Sequence, residues 1–354
     1  MRKIILATFI GLVSVGLLYG VAYAAVSGPC VNCHTMHASQ DGTSMLFSSD
    51  VDGDPNEALT RAGCIGCHGQ DPSGTNSIID NIPQVWHNAA RDLAAGNFKY
   101  VSTDAGAAEA KGHNVTDLGV SYQETTLTSP PGDELNTGIS NDNFTCAGKY
   151  GCHGDRSITG SFASISGAHH ADDSTIDGST VATSYRFLKG VLGLENNDAT
   201  YPWENYSPTI HNEYKGATGT GTESSDPTTP GGGTISGFCA ICHGDFHYST
   251  DVGSASPWLR HPTDIVLPAS GEYASYNEDG ATYSTVAPVA RVDIPTTPSS
   301  SVTPGTNDAI VMCLSCHGAH GTNYNDILRW DYSTIVAGGA GGNIGCFICH
   351  TQKD

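Results

Sequence analysis

The segment Cys30-Val-Asn-Cys-His34 is the first of five regular Cys-x-x-Cys-His motifs in the chain. A sixth motif is stretched, with five residues between Cys146 and Cys152-His153. Together they use all 12 cysteines. Such motifs are the attachment signature of haem c: two thiols bond the haem vinyl groups and the adjacent histidine binds the iron. We therefore predict six covalently bound haem c groups, each with one iron. The other regular motifs are Cys64–Cys67–His68, Cys239–Cys242–His243, Cys313–Cys316–His317 and Cys346–Cys349–His350.

The stretched motif has an alternative interpretation. The two haem vinyl groups are a fixed distance apart, so the residues between Cys146 and Cys152 must loop out, which Gly148 and Gly151 permit. A disulfide between these cysteines, beside an ordinary histidine, would instead leave five haems. We favour haem because His153 follows directly and the chain has no other cysteine to act as a partner.

Zinc sites and disulfides are the rival uses of paired cysteines. Zinc needs four ligands but has no need of a histidine directly after every second cysteine. Six disulfides would leave those histidines equally unexplained. Both alternatives therefore account for less of the pattern than haem does.

The composition predicts how such a chain folds. Hydrophobic residues are 38% and charged residues 14%, with 43 glycines, which is poor material for a large aliphatic core. We expect the porphyrins to supply much of the buried apolar surface. The predicted fold class is mostly irregular with short α-helices and few strands, a multihaem cytochrome c organised by its haems as a single elongated unit over residues 25–354. Helices are predicted at 86–95, 185–191 and 324–332, strands at 98–102 and 265–267, and surface loops at 216–237 and 296–307.

The first 24 residues have the pattern of a secretory signal peptide. Arg2 and Lys3 are followed by an apolar run and by the cleavage motif Ala22-Tyr23-Ala24. A membrane anchor is the alternative, because the apolar run is nearly long enough to span a bilayer. Export agrees with haem attachment outside the cytoplasm, where free paired cysteines would otherwise oxidise. We predict a secreted protein, extracellular or at the cell surface, with the periplasm as the alternative.

The net charge of −21 argues against binding to nucleic acid or to anionic membrane surfaces. It is compatible with cationic partners or a mineral surface, and equally with a role in solubility alone.

Six irons need six second ligands, and nine histidines remain once the proximal six are assigned. Methionine is the usual alternative ligand, but only three methionines follow the signal peptide. We therefore expect two histidines on every iron, which leaves no open position for a substrate. His37 and His320 each follow a proximal histidine by three residues, and we expect each to bind a different, neighbouring iron. The predicted distal ligands are His37, His113, His169, His211, His261 and His320, and the remaining candidates are His87, His170 and His247.

The segment Cys30-Val-Asn-Cys-His-Thr-Met-His37 resembles the first haem site of the extracellular hexahaem nanowire cytochromes of metal-reducing bacteria. Later segments, such as His211-Asn-Glu-Tyr214 and Cys313-Leu-Ser-Cys-His-Gly-Ala-His320, look like the wider doubled-CxxCH family. The resemblance implies a continuous stack of bis-histidine haems. It also implies that His37 binds a haem of the neighbouring subunit in a head-to-tail homopolymer.

The leading functional hypothesis is a secreted hexahaem cytochrome that polymerises into a conductive extracellular filament. It would take electrons from upstream periplasmic or outer-membrane cytochromes and pass them to extracellular acceptors such as metal oxides. A monomeric periplasmic or surface shuttle is the first alternative. A multihaem reductase is the second, but such enzymes keep one five-coordinate haem, and the sequence has no Cys-x-x-Cys-Lys variant. We therefore predict an electron-transfer protein rather than an enzyme.

Overall fold

Short elements separated by irregular segments make up the protein, for which a computed structural model was obtained. The structure describes residues 26–48, 50, 53–102, 108–119, 126–133, 135–219, 228, 230–247, 260–339 and 342–353. The predicted signal peptide lies outside these residues and stays a prediction. In the part that is described, no helix has the length and apolar character needed to cross a membrane.

In the described residues the α-helices are one or two turns long: α1 (Cys64–His68), α2 (Lys99–Ser102), α3 (Ser161–Ile165) and α4 (Ile235–Cys239). Single turns of 3-10 helix are distributed along the chain. They are Cys30–Asn32, Glu57–Leu59, Ala108–Lys111, Thr116–Leu118, Ala168–His170, Tyr185–Phe187, Gly231–Gly233, Gly244–Phe246, Gly271–Ser275, Cys313–Ser315, Asn325–Ile327, Tyr332–Thr334 and Gly345–Ile348.

The strands form two-stranded ribbons. The antiparallel ribbons are β1 (Ser39–Gln40) with β2 (Thr43–Ser44), β3 (Ile78–Ile79) with β4 (Ile82–Pro83), β7 (Gly193–Leu194) with β8 (Glu213–Tyr214), and β9 (Ile265–Val266) with β10 (Ile310–Val311). A parallel ribbon joins β5 (Thr145–Ala147) to β6 (Gly151–His153). The predicted fold class, mostly irregular with short helices and few strands, is confirmed.

Several predictions of individual elements are wrong. The predicted strand at 98–102 is instead helix α2, because the side chain of Asn97 accepts a hydrogen bond from the backbone N–H of Lys99 and caps that turn. The predicted helix at 86–95 is absent from these described residues. Its backbone donors are used elsewhere; for example, Ala94 N–H donates to Trp203 O at 2.9 Å.

The other element predictions hold in part or in full. The helix predicted at 185–191 is only the turn Tyr185–Phe187, and the helix predicted at 324–332 contains only the turn Asn325–Ile327 and the start of the next one. The strand at 265–267 is confirmed as β9. The loop expected at 216–237 lies partly outside the described residues, and α4 begins within it. Residues 296–307 contain no helix or strand.

The buried apolar side chains form three separate clusters, and each lies against attachment cysteines. One surrounds Tyr185 and Ile310 and contacts Cys152 and Cys242. A second surrounds Tyr276 and Trp330 and contacts Cys316, Cys346 and Cys349. The third, around Phe98 and Val101, contacts Cys146. The core is thus divided among the motifs, as expected of a chain that folds around its cofactors.

Candidate haem sites

A helical turn brings the two cysteines and the histidine of the regular motifs to one side of the backbone. In the first motif the turn Cys30–Asn32 ends at Cys33, and His34 N–H donates to Cys30 O at 2.8 Å. The same bond from the histidine to the first cysteine closes the fourth, fifth and sixth motifs. The second motif is helix α1 itself.

The stretched motif reaches the same arrangement by a different route. In the parallel ribbon of β5 and β6, the register pairs Thr145 with Gly151 and Ala147 with His153, so Cys146 lies beside Cys152. Adjacent strands are about 4.8 Å apart. The intervening residues turn outward at Gly148, whose φ is +87°. All 12 cysteines lie in the described part of the chain, and none forms a disulfide.

The proximal imidazoles are oriented through Nδ1. In five of the six, Nδ1 lies 2.7–3.1 Å from a backbone carbonyl oxygen. A carbonyl oxygen only accepts, so Nδ1 carries the hydrogen and Nε2 keeps the lone pair that a metal binds. In the sixth, Nδ1 of His350 lies 3.4 Å from the carboxylate of Glu272. The five carbonyl acceptors are Ala58 for His34, Pro83 for His68, Arg186 for His153, Pro131 for His243 and Asp326 for His317.

Three of these acceptors share an unusual backbone conformation that the sequence analysis missed. Ala58, Arg186 and Asp326 each occupy the middle of a 3-10 turn with φ between 52° and 59°, and the next residue also has a positive φ. Left-handed backbone is costly for residues other than glycine and persists where the surroundings impose it. The signal in the sequence is that each acceptor residue is followed first by an apolar residue, then by one intervening residue and then by a basic residue. It reads Ala58-Leu-Thr-Arg61, Arg186-Phe-Leu-Lys189 and Asp326-Ile-Leu-Arg329.

Five proximal imidazoles face a second imidazole across a gap that fits an iron. Metal–nitrogen bonds of about 2.0–2.1 Å on both faces, with about 1.1 Å from each nitrogen to its ring centre, place the two centroids about 6.3 Å apart. The observed centroid distances are 5.9–6.4 Å. The pairs are His34 with His170, His68 with His169, His153 with His320, His243 with His113, and His350 with His261. The residues present therefore fit haem iron held from both sides.

His170 was not among the six predicted distal ligands, but its ring faces that of the proximal His34. His169 and His170 are adjacent in sequence and face the first two sites separately. His320 faces His153 of the third site and not His317 of its own motif.

Three other candidates are not brought to a proximal imidazole. Nε2 of His211, predicted as a distal ligand, lies 3.2 Å from the carboxylate of Glu213. Nε2 of His247 lies 3.0 Å from the carboxylate of Asp264. Nδ1 of His87 accepts the backbone N–H of Ala89. All three rings are buried, and the nitrogen named for each is directed at a protein group.

His317 and His37 are left over by this pairing. Nδ1 of His317 binds Asp326 O at 2.7 Å, so the ring is oriented like the other proximal rings. Within the described residues, however, no second imidazole faces it, and both His317 and His37 are exposed.

Burial keeps the facing imidazoles neutral, which is the form that binds a metal. It lowers the pKa of His68, His113, His153 and His261 below the ordinary value. Burial, followed by neighbouring histidines, lowers the pKa of His169 to about 4 and that of His320 to about 3. Burial likewise lowers the pKa of the proximal His243.

The cysteines show which sites are neighbours. The first cysteine of one motif contacts the first cysteine of another in two places. The thiols of Cys64 and Cys146 form a hydrogen bond with each other, and so do the thiols of Cys239 and Cys313. The second cysteines interact electrostatically. Burial first, and then Cys33, raise the pKa of the Cys67 thiol to about 12. The second-cysteine neighbours are Cys33 with Cys67, Cys152 with Cys242, and Cys316 with Cys349. The six sites therefore adjoin one another in chain order, alternately through second and first cysteines.

Comparison with known proteins identifies c-type cytochromes that this chain resembles. Residues 304–354, which contain the last two motifs, match the family described as the doubled CXXCH motif. The chain is similar to the C-type cytochrome OmcS of Geobacter sulfurreducens, with 27% identity over 393 residues that cover 91% of this chain and 84% of the relative. Among solved structures it is similar to the OmcS nanowires from Geobacter sulfurreducens, with 22% identity, a TM-score of 0.49 and coverage of 90% of this chain and 88% of that chain. The Outer Membrane Cytochrome S filament from the same organism gives a TM-score of 0.47 at 22% identity, with the same coverage of both chains. The chain is therefore homologous to a c-type cytochrome, and its Cys-x-x-Cys-His motifs bind haem c covalently.

Proposed function

We propose that this protein is a secreted hexahaem cytochrome that carries electrons along a row of bis-histidine haems and assembles head to tail into a filament. One observation carries the proposal. Five proximal imidazoles have a facing imidazole within the described chain, whereas exposed His317 has none there and exposed His37 has no assigned iron.

Electron transfer is the chemistry that this set of side chains supports. Haem iron supplies the one-electron couple. The chain supplies two facing imidazoles at five of the six sites, and an iron held by two imidazoles would have no free position for a substrate. Because the six sites adjoin in sequence order, the path from the first to the last is continuous within one subunit. The stretched third motif is a full member of that path, since its two cysteines contact the second and fourth sites.

Assembly follows from the unmatched pair of histidines. His37 belongs to the first motif and His317 to the fifth, and three other sites lie between these two in the order of contacts. His37 would therefore complete the iron site of His317 in a second copy of the chain and not in its own. Such a contact uses two different surfaces and therefore propagates as a chain of subunits.

Exposed apolar side chains lie near the first site and near the C-terminal pair of sites. Near the first site, Val31, Met36 and Leu59 are 57%, 77% and 58% exposed. Near the last site, Tyr332 and Val336 are 66% and 59% exposed. Clustered exposed apolar groups usually mark a surface that is covered by a partner. We infer that these two groups meet between consecutive subunits.

The external partners proposed are upstream periplasmic or outer-membrane cytochromes that donate electrons and extracellular acceptors such as metal oxides. A net charge of −21 suits a cationic or mineral acceptor. Secretion to the cell exterior is proposed on the same grounds as the signal peptide.

The test is the variant His37→Ala in the secreted, haem-loaded protein. We expect filaments to be lost in negative-stain electron microscopy, while mass spectrometry still finds six haems on a monomer. One haem in six should become high-spin by electron paramagnetic resonance, because its second ligand came from the neighbour. Added imidazole should restore the low-spin signal but not the filament.

The matched control is Ser39→Ala, an exposed change two residues away that removes no imidazole. It should assemble like the wild type. Filaments that persist in His37→Ala would exclude the bridging role, and discrete wild-type monomers would favour the soluble shuttle. A high-spin haem in the assembled wild type would favour the reductase.

A further inference from the structure

An arginine lies at each of the three contacts made by second cysteines. These contacts join the first site to the second, the third to the fourth and the fifth to the sixth. The arginines are Arg61, Arg156 and Arg329, and the described part of the chain holds four others. None of the three is required for haem attachment by the motif itself, so their shared placement needs a separate explanation.

Arg61 and Arg329 make the same two contacts in different parts of the chain. The backbone N–H of Arg61 donates to Cys33 O at 2.8 Å, and its guanidinium donates to Val31 O inside the motif at 3.2 Å. The backbone N–H of Arg329 donates to Cys316 O at 2.9 Å, and its guanidinium donates to Leu314 O at 2.8 Å. Each guanidinium is thereby held against its own attachment motif.

Arg156 reaches an equivalent position from another direction. It is only 4% exposed. One guanidinium nitrogen donates to the carbonyl of Gly151, the residue before Cys152, and another lies 3.9 Å from Sγ of Cys242. This cation therefore lies between the attachment cysteines of the third and fourth sites.

The charges of Arg61 and Arg156 act on the attachment groups of both flanking sites, and that of Arg329 acts on the attachment groups of the fifth site. Burial raises the pKa of the thiols of Cys152 and Cys242, and Arg156 opposes that rise in both. Arg61 likewise opposes the raised pKa of Cys33 and Cys67. Arg329 does so at Cys316. Acidic groups act in the opposite sense at some of these cysteines: Asp80 at Cys33, Asp50 at Cys67 and Asp133 at Cys242.

We propose that Arg61, Arg156 and Arg329 are positioning residues that raise the reduction potentials of the haems attached on either side of them. The inference rests on the haem loading proposed above. When a haem takes up one electron its iron changes from ferric to ferrous and the site loses one positive charge, so a fixed cation nearby favours the reduced form. Arginine cannot lose its proton in a protein, so the effect persists at every working pH.

The experiment is a spectroelectrochemical titration of Arg156→Gln in the assembled, haem-loaded protein, with dithionite as the reductant. Two of the six haem midpoints should shift to lower potential, while the other four remain in place. Arg156→Lys keeps the charge and should return both midpoints towards the wild-type values. Arg91→Gln is the matched control, since Arg91 is exposed and stacks on Tyr206, away from the motifs.

Three results would overturn the inference: unchanged midpoints in Arg156→Gln, an equal shift in Arg156→Lys, or an equal shift in Arg91→Gln. If Arg156→Gln loses a haem, Arg329→Gln provides the same test at the fifth and sixth sites. A wild-type protein without six low-spin haems would instead contradict the proposed function, so the two failures are distinguishable.

Discussion

At the scale of the residue, what separates a ligand from a spectator histidine is the group that its nitrogens touch. Five of the six proximal rings donate from Nδ1 to a backbone carbonyl and leave Nε2 available, and His113 and His261 do the same from the distal side. Nε2 of His211 and His247 is directed at a carboxylate instead. The candidate ligands and the other histidines alike occur in glycine-rich or polar sequence. The groups that the fold places around each ring therefore distinguish them, and the local sequence does not.

We expect the variants His320→Ala and His211→Ala to differ in spin state. The ring of His320 faces that of His153 at 6.2 Å, so its loss should leave one high-spin haem in six. His211 binds Glu213 and stacks on Tyr283 at 3.7 Å, so its loss should lower stability while all haems stay low-spin. Electron paramagnetic resonance of the ferric proteins distinguishes them. A high-spin haem in His211→Ala would restore it as a ligand.

At the scale of the element, the ribbon of β5 and β6 replaces the helical turn of an ordinary motif. Its parallel pairing places Cys146 beside Cys152 despite the longer spacing. Gly151 is essential to this, because a Cβ there would lie 2.5 Å from Thr145 O and 2.5 Å from Ala147 N. No real side chain tolerates such distances to backbone atoms, so the ribbon would have to separate.

Gly151→Ala should therefore yield protein with five haems, which intact mass spectrometry would detect as the loss of one haem. Gly63→Ala is the matched control. Gly63 also directly precedes a motif cysteine, but a Cβ there meets nothing within 4 Å, and we expect six haems. Six haems in Gly151→Ala would show that attachment does not depend on the ribbon.

At the scale of the whole molecule, burial of neutral imidazoles makes stability depend on pH. Burial lowers the pKa of seven of the ten rings in the five facing pairs, and iron binding acts in the same direction. The unfolded chain therefore binds more protons than the folded one below about pH 6.5. Since stability rises with pH wherever the unfolded state binds more protons, it should fall as pH drops below that value.

We expect the haem-loaded protein to lose unfolding free energy between pH 8 and pH 5, by up to about 1.4 kcal/mol per pH unit for each such histidine. Denaturant titrations followed at the Soret band measure it. The range stops at pH 5 so that carboxylates, which are protonated only at lower pH, do not contribute. Constant or increasing stability on acidification would contradict the role given to buried neutral imidazoles.

The sequence by itself determined the cofactor and predicted its attachment cysteines and proximal histidines, because covalent attachment and proximal ligation involve only a few consecutive residues. It also determined the coarse fold class, since a chain so rich in glycine and so poor in apolar residues cannot build long helices or sheets. It did not determine the short elements: Asn97 capped a turn where β-propensity predicted a strand.

Only the tertiary structure decided which histidine faces each of the five paired proximal rings. His320 meets His153, and His261 meets His350, across contacts between distant segments. Whether a histidine is available depends equally on distant groups, as Glu213 and Asp264 show by engaging His211 and His247. The physical reason is that the second ligand approaches the iron from the opposite face of the porphyrin. No local spacing rule describes that face, because another part of the chain supplies it.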